Sequence, residues 1–174
     1  MSIKSQRGFS LLEVLISLIV ILIGVLGVAG IQLLSLKNTD WARYQSQAAI
    51  LATGMVNAIQ INPQYWSTNP SLTVNGTAIS GAALSTTPCT GAANCTPTQQ
   101  AGSDVGNWGS SLAAVLPNGN GSITCTATSP YPTVCTIVVN WTVTETGIFA
   151  SGNVGGGAAA VQTPINYQTM VSLP

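Results

Sequence analysis

The chain has 174 residues, of which 46% are hydrophobic, yet it holds only four Lys or Arg, four Asp or Glu and no His, for a net charge of zero. So few cations leave no basic patch for phosphates, and nucleic acid is not expected as a partner. The missing His and sparse carboxylates leave no acid–base pair and no metal cluster, so an enzyme, a cofactor site and a metal site are not expected either. No basic residue follows Arg43, and the surface beyond it must be built mostly from Ser, Thr, Asn, Gln and Gly. Such a surface does little to repel other copies, which suits an anchored or assembled protein.

Met1 to Gly8 is short, polar and positive through Lys4 and Arg7; an apolar run from Phe9 to Leu36 follows, broken only by Glu13 and a few small or polar residues. As a helix this run spans roughly 40 Å, enough to cross a hydrocarbon core of ~30 Å. The basic leader keeps its end in the cytoplasm, so everything after Leu36 is expected to be exported across the membrane in a single pass. A secretory signal would place its cleavage site after a shorter apolar core. Here the polar-to-apolar border falls on Arg7-Gly8-Phe9-Ser10-Leu11-Leu12-Glu13. A carboxylate one turn into a membrane helix costs a few kcal/mol and marks a waiting partner. The local alternatives are a helix-start carboxylate favoured by the dipole, or one solvated at the interface.

That string resembles the recognition sequence of type IV prepilins. The resemblance implies that a prepilin peptidase cuts between Gly8 and Phe9 on the cytoplasmic side and methylates the new amine of Phe9. It also gives Glu13 a partner, the Phe9 amine of a neighbouring subunit, so that neither charge is buried alone in a filament. Gly24, Gly27 and Gly30 punctuate the helix. In the family such glycines let the segment loosen on leaving the bilayer, whereas small residues in membrane helices otherwise permit close packing; both readings stay open.

From Trp41 the pattern becomes one-sided, with Trp41, Tyr44, Ala48, Leu51 or Ala52, Met55 and Ile59 recurring every three or four residues until Pro63. One helix from about Phe9 to Ile61 is expected. Residues 62–95 are rich in Asn, Thr, Ser, Gly and Pro and read as a long loop holding at most a short strand at Leu72 to Val74. Thr96-Pro97-Thr98-Gln99 is a helix start, a capping box with proline in the first turn. Ala101, Val105, Trp108, Leu112 and Val115 or Leu116 follow at helical spacing up to Pro117. After the expected turn Asn118-Gly119-Asn120-Gly121 the period drops to two. Ile123, Cys125 and Ala127 share one face of a strand, Cys135, Ile137, Val139, Trp141 and Val143 one face of a second, and Ile165, Tyr167, Thr169, Val171 and Leu173 one face of a third. Four cysteines allow three pairings; proximity favours Cys89 with Cys95, and strand phase favours Cys125 with Cys135. A zinc site is disfavoured by the spacings and the absence of His.

The resulting expectation is an α+β fold of the type IV pilin kind, a long N-terminal helix packed on a small antiparallel sheet with a second short helix. Its divisions are a prepilin leader over 1–8, a transmembrane and filament-core helix half over 9–36, and a periplasmic head over 37–174. The head holds helix 37–61, loop 62–95, helix 97–116 and strands at about 122–128, 133–145 and 163–173.

Beyond the cleavage site, Gln6 to Leu15, Gln45-Ser46-Gln47-Ala48, Ile61-Asn62-Pro63 and the turn Leu116-Pro117-Asn118-Gly119 look like the PilV group of minor pilins. So does the order of cysteine pair, Trp-bearing helix and Cys-containing strand. The Ser/Thr/Gly-rich loop at 67–95 and the near absence of charge around Val105 to Leu112 depart from that group. The resemblance implies a low-abundance subunit that starts pilus assembly at the inner membrane and ends at the tip on the cell surface. Its implied partners are prepilin peptidase, other minor and major pilins, and a large tip adhesin. The nearest rival is a pseudopilin of a type II secretion system. An anchored enzyme or binding module and a DNA-uptake pilin are weaker rivals, opposed respectively by the missing His and by the missing cations. Sequons at Asn75, Asn94, Asn120 and Asn140 carry little weight in so polar a sequence.

Overall fold

A computed structural model describes residues 10–68, 70–82, 84, 89, 95–127, 131–145 and 161–173, the side chains of 33, 34, 37, 38, 145 and 161 excepted. The chain divides into two compact units, Met1–Ala42 and Arg43–Pro174. Helix α1 is Leu11–Ile61, and it contributes to both.

In the first unit the early part of the helix is apolar on nearly every side. Leu11–Gln32 forms a 22-residue stretch long and apolar enough to cross a membrane, with none of it buried. At 1.5 Å per residue it extends about 33 Å, which matches a hydrocarbon core of ~30 Å.

In the second unit the pattern is one-sided. Ala48, Ala52, Met55 and Ile59 of α1 are all buried in the hydrophobic cluster, with Tyr44 and Leu51 at its margin. Trp41, expected on this stripe, is 47% exposed, so the buried face begins later than its spacing suggests. Asn62 ends α1 and is itself buried; its Nδ2 donates to the Pro97 carbonyl at 2.7 Å, tying the end of one helix to the start of another.

The segment expected as a loop over 62–95 is structured in part. It holds a short helix α2 (Pro63–Trp66) and two strands, β1 (Ser71–Asn75) and β2 (Ala78–Gly81). Pro63 suits the first helical position, where no N–H is required. The turn of helix puts Tyr65 and Trp66 into the core, with their rings edge to face at 5.0 Å. β1 alternates strictly, burying Leu72 and Val74 between exposed Ser71, Thr73 and Asn75. It extends the short strand expected at Leu72 to Val74 by one residue at each end.

Helix α3 (Pro97–Val115) has the expected capping box: Thr96 Oγ1 accepts from the Gln99 N–H at 3.3 Å and Gln99 Oε1 accepts from the Thr96 N–H at 2.9 Å. Ala101, Val105, Trp108 and Leu112 form its buried stripe, continued by Leu116, while Val115 is exposed. Trp108 Nε1 donates to the Leu51 carbonyl at 3.1 Å, which locks α3 against α1. Gly109 is needed where α3 crosses the β1–β2 hairpin, since a Cβ there would strike Val74 and the Gly76 carbonyl. Gly121 is needed beneath the Trp108 ring for the same steric reason.

Strands β3 (Asn120–Thr126), β4 (Val134–Glu145) and β5 (Val161–Ser172) complete a five-stranded antiparallel sheet in the order β2-β1-β3-β4-β5. The fold is therefore α+β, with five strands where the two-residue period alone marked three. β3 starts at Asn120 rather than after the turn, because Asn120 and Gly121 already pair with Asn75 and Val74 on one side and Asn140 and Val139 on the other. The turn is tightened by Asn118, whose φ of 53° is tolerated better by asparagine than by most residues. Residue 128, at the end of the expected strand, lies outside the described residues. Ile123, Cys125, Cys135, Ile137, Val139, Trp141, Val171 and Leu173 supply the sheet's buried face.

Candidate functional site

Two sets of residues carry the sequence's functional argument: the start of α1 and the four cysteines. At the start of α1 the first backbone donors are met by Ser10. Its carbonyl accepts from the N–H groups of Glu13 at 3.0 Å and Val14 at 3.3 Å, and its Oγ accepts from the Leu12 N–H at 3.4 Å. Glu13 is the acidic residue of the first turn. That position suits a negative charge near the positive end of the helix dipole. Among the described residues no ion pair or hydrogen bond engages its carboxylate, and it is exposed. Ser17, the other polar side chain in the first two turns of the span, is satisfied within the helix, donating to the Glu13 carbonyl at 2.7 Å. The carboxylate of Glu13 is thus the one group early in the span whose hydrogen-bonding capacity the described helix leaves open.

Gly8 and Phe9, the expected cleavage and methylation residues, lie outside the described residues. A Cβ built on Gly24, Gly27 or Gly30 meets nothing within 4 Å, so no contact inside the described chain requires these glycines. Any demand for small residues there must come from backbone flexibility or from a neighbouring molecule.

The head carries both disulfides, Cys89–Cys95 and Cys125–Cys135. Cys125 and Cys135 stand directly opposite each other in the β3–β4 register and are both buried, so the bridge lies in the core face of the sheet. The Cys89–Cys95 bridge sits beside α3, where the Cys89 N–H donates to Ser103 Oγ at 2.8 Å. Among the described residues no group of three His, Cys, Asp or Glu gathers in a way that would hold a metal. Asp104 accepts from Gln100 Nε2 at 2.9 Å on its own helix. The Asn62–Pro97 tie was missed at the sequence level. The only available signal was an Asn at a helix end, and nothing in the local pattern says that its partner lies 35 residues on.

Residues 3–29 match the prokaryotic N-terminal methylation motif, so the N-terminal region is similar to that of prepilins. The motif implies processing by a prepilin peptidase and assembly with other pilins, and with the apolar span it fits membrane anchoring. Residues 30–106 match the family described as type IV pilin Tt1218. Over these two stretches the chain is similar to type IV pilins and to the methylated N-terminus of their precursors. No curated protein matches it, and no solved structure does.

Proposed function

We propose that the chain is a minor pilin of a type IV pilus. After cleavage between Gly8 and Phe9 it helps to start assembly at the inner membrane and forms part of the tip complex. The observation that carries this reading is the carboxylate of Glu13, which has no partner among the described residues, in an apolar, unburied span most of which lies within the matched methylation motif. Cleavage creates the Phe9 amine, and a neighbouring copy's Glu13 offers it a counter-charge. In a filament interior the pair is stable only when both members are present, since removing one partner of a buried ion pair costs about 3–5 kcal/mol. The sparsely charged, disulfide-bonded head serves contact with other pilins and a tip adhesin; no catalytic step belongs to this role. The likeness to PilV-group minor pilins supports minor rather than major status.

The experiment expresses wild type and Glu13→Ala in a piliated host. Intact mass is expected to show both proteins starting at a methylated Phe9, while sheared filaments contain wild type at low stoichiometry and the variant at a tenth of that or less. Normal incorporation of the variant overturns the charge-pairing account. A retained Met1 overturns the processing account, and secretion arrest without a pilus defect assigns the chain to a type II secretion system instead.

A further inference from the structure

The solvent-facing side of the sheet has an organisation that pilus assembly does not explain. In the strand register Asn75 stands opposite Asn120, Asn120 opposite Asn140, and Asn140 opposite Asn166, so one row of asparagines crosses β1, β3, β4 and β5. Alternation along the strands sets this row on the face away from buried Val74, Ile123, Val139 and Trp141. The next row continues it with Ser80, Thr73, Ser122, Val138 and Gln168. Asparagine is depleted in strands, so four in one register row are not accounted for by strand formation.

These side chains are partly held in place by one another. Asn140 Nδ2 donates to Asn120 Oδ1 at 3.1 Å, Asn120 Nδ2 donates to the Asn118 carbonyl at 3.1 Å, and Thr73 Oγ1 and Ser80 Oγ are 2.6 Å apart. Each amide offers two donors and an acceptor with two lone pairs, so these bonds leave further donors and acceptors facing outward. They are spaced at the interstrand distance of about 4.8 Å, comparable with the width of a sugar ring. A cavity of about 340 Å³ opens on the same face, lined among others by Thr73, Asn75, Ser80, Asn120, Ser122 and Asn140. That volume falls in the range of small-ligand clefts, roughly 300–1,000 Å³.

We propose that this face is a binding site for a neutral oligosaccharide. The lining contains no charged side chain, and no Lys, Arg or His follows Arg43 anywhere in the head, so an anionic ligand would find no counter-charge. Paired amides and hydroxyls instead match a ligand whose vicinal hydroxyls both donate and accept. Three of the asparagines head Asn-x-Ser/Thr triplets, at Asn75, Asn120 and Asn140. In β3 and β4 the two-residue period places Ser122 and Thr142 on the same face as their asparagines, which accounts for those triplets without a modification. The proposal rests on the sheet alone and stands whether the chain is a minor pilin, a major pilin or a pseudopilin.

The test titrates the full-length mature protein, in a detergent without a sugar headgroup, with cellohexaose, maltohexaose, chitohexaose and a sialylated oligosaccharide by calorimetry. At least one neutral hexaose is expected to bind saturably and independently of ionic strength. Asn75→Ala and Asn140→Ala are each expected to weaken that binding about tenfold, the effect of losing about one well-formed hydrogen bond. Asp104→Asn, on α3, leaves it unchanged. Asn75 is exposed at a strand end, so its variant tests the site even where Asn140→Ala fails to fold. No binding of any neutral hexaose, binding of the sialylated sugar alone, or equal binding by a folded Asn75 variant overturns the proposal. So does an intact mass that shows a glycan already attached at Asn75.

Discussion

The two halves of helix α1 use apolar residues in opposite ways. Over Leu11–Gln32 the side chains are mostly apolar all round and none of the stretch is buried, whereas between Tyr44 and Ile61 the stripe Ala48, Ala52, Met55 and Ile59 is buried in the head's core. A helix that is hydrophobic on every face needs an apolar environment on every face, which its own chain does not supply. A helix with one such face needs only a partner layer, and α3 with the sheet provides it. Within a single secondary structure element, then, the first part is arranged for lipid and neighbouring subunits and the second for its own domain.

Substitutions that sort the two halves test this contrast. The largest expected effect is in the head: Trp141→Ala removes a ring that is 1% exposed and should lower the head's stability by about 3–5 kcal/mol, read by denaturant unfolding of the detergent-solubilised chain. The matching change in the span, Leu18→Ala at a site 56% exposed, should leave that unfolding free energy within about 0.5 kcal/mol of wild type. Equal effects would break the division between the two regions.

A smaller effect separates two glycines. Gly109→Ala drives a methyl group toward Val74 and the Gly76 carbonyl and should cost about 1–3 kcal/mol by overpacking. Gly24→Ala meets nothing within 4 Å and should favour its own helix by up to ~1 kcal/mol while leaving the head's melting temperature unchanged. Thermal melts followed by near-ultraviolet circular dichroism distinguish these outcomes. If Gly24→Ala also blocks incorporation into filaments, the glycine serves flexibility or intersubunit packing rather than the isolated chain.

The smallest effect is one of pH. Burial raises the pKa of the Tyr65 hydroxyl above its ordinary value of 10.0, because the phenolate is the poorly solvated form there. Below pH 10 the group is protonated in both folded and unfolded chains and contributes no slope. As pH rises past 10 the unfolded chain releases this proton first, so stability falls until the folded-state pKa is passed. Tyr65→Phe should flatten that part of the profile, and an unchanged alkaline slope would show that another group is responsible.

Much of the fold could be read where a local rule was strong. The capping box at Thr96 to Gln99, the buried stripe of α3 and the alternating faces of β4 and β5 each depend on residues within a few positions of one another. The Cys125–Cys135 pairing followed from strand phase, and the structure has that bridge. The short strand expected at Leu72 to Val74 is present as β1, but its partner β2 carries no such signal, being four residues long with Ile79 as its one large apolar side chain. Their stability comes from pairing with β3, some 50 residues away in the chain, and from the layer of α3 above them. Trp41 was misplaced for the converse reason, since helical spacing continues past the point where a packing partner is available.

What the sequence by itself determined is the polar-to-apolar border at Gly8 and Phe9, the long apolar span and the solitary carboxylate of Glu13 within it, because a membrane reads length, charge and position along the chain without reference to tertiary structure. Tertiary structure alone decided the five-strand order, the tie between Asn62 and Pro97, and the alignment of Asn75, Asn120, Asn140 and Asn166 into one row. Register between strands distant in sequence is set by which faces bury together. A slip of one residue would have turned those asparagines into the core and the valines outward.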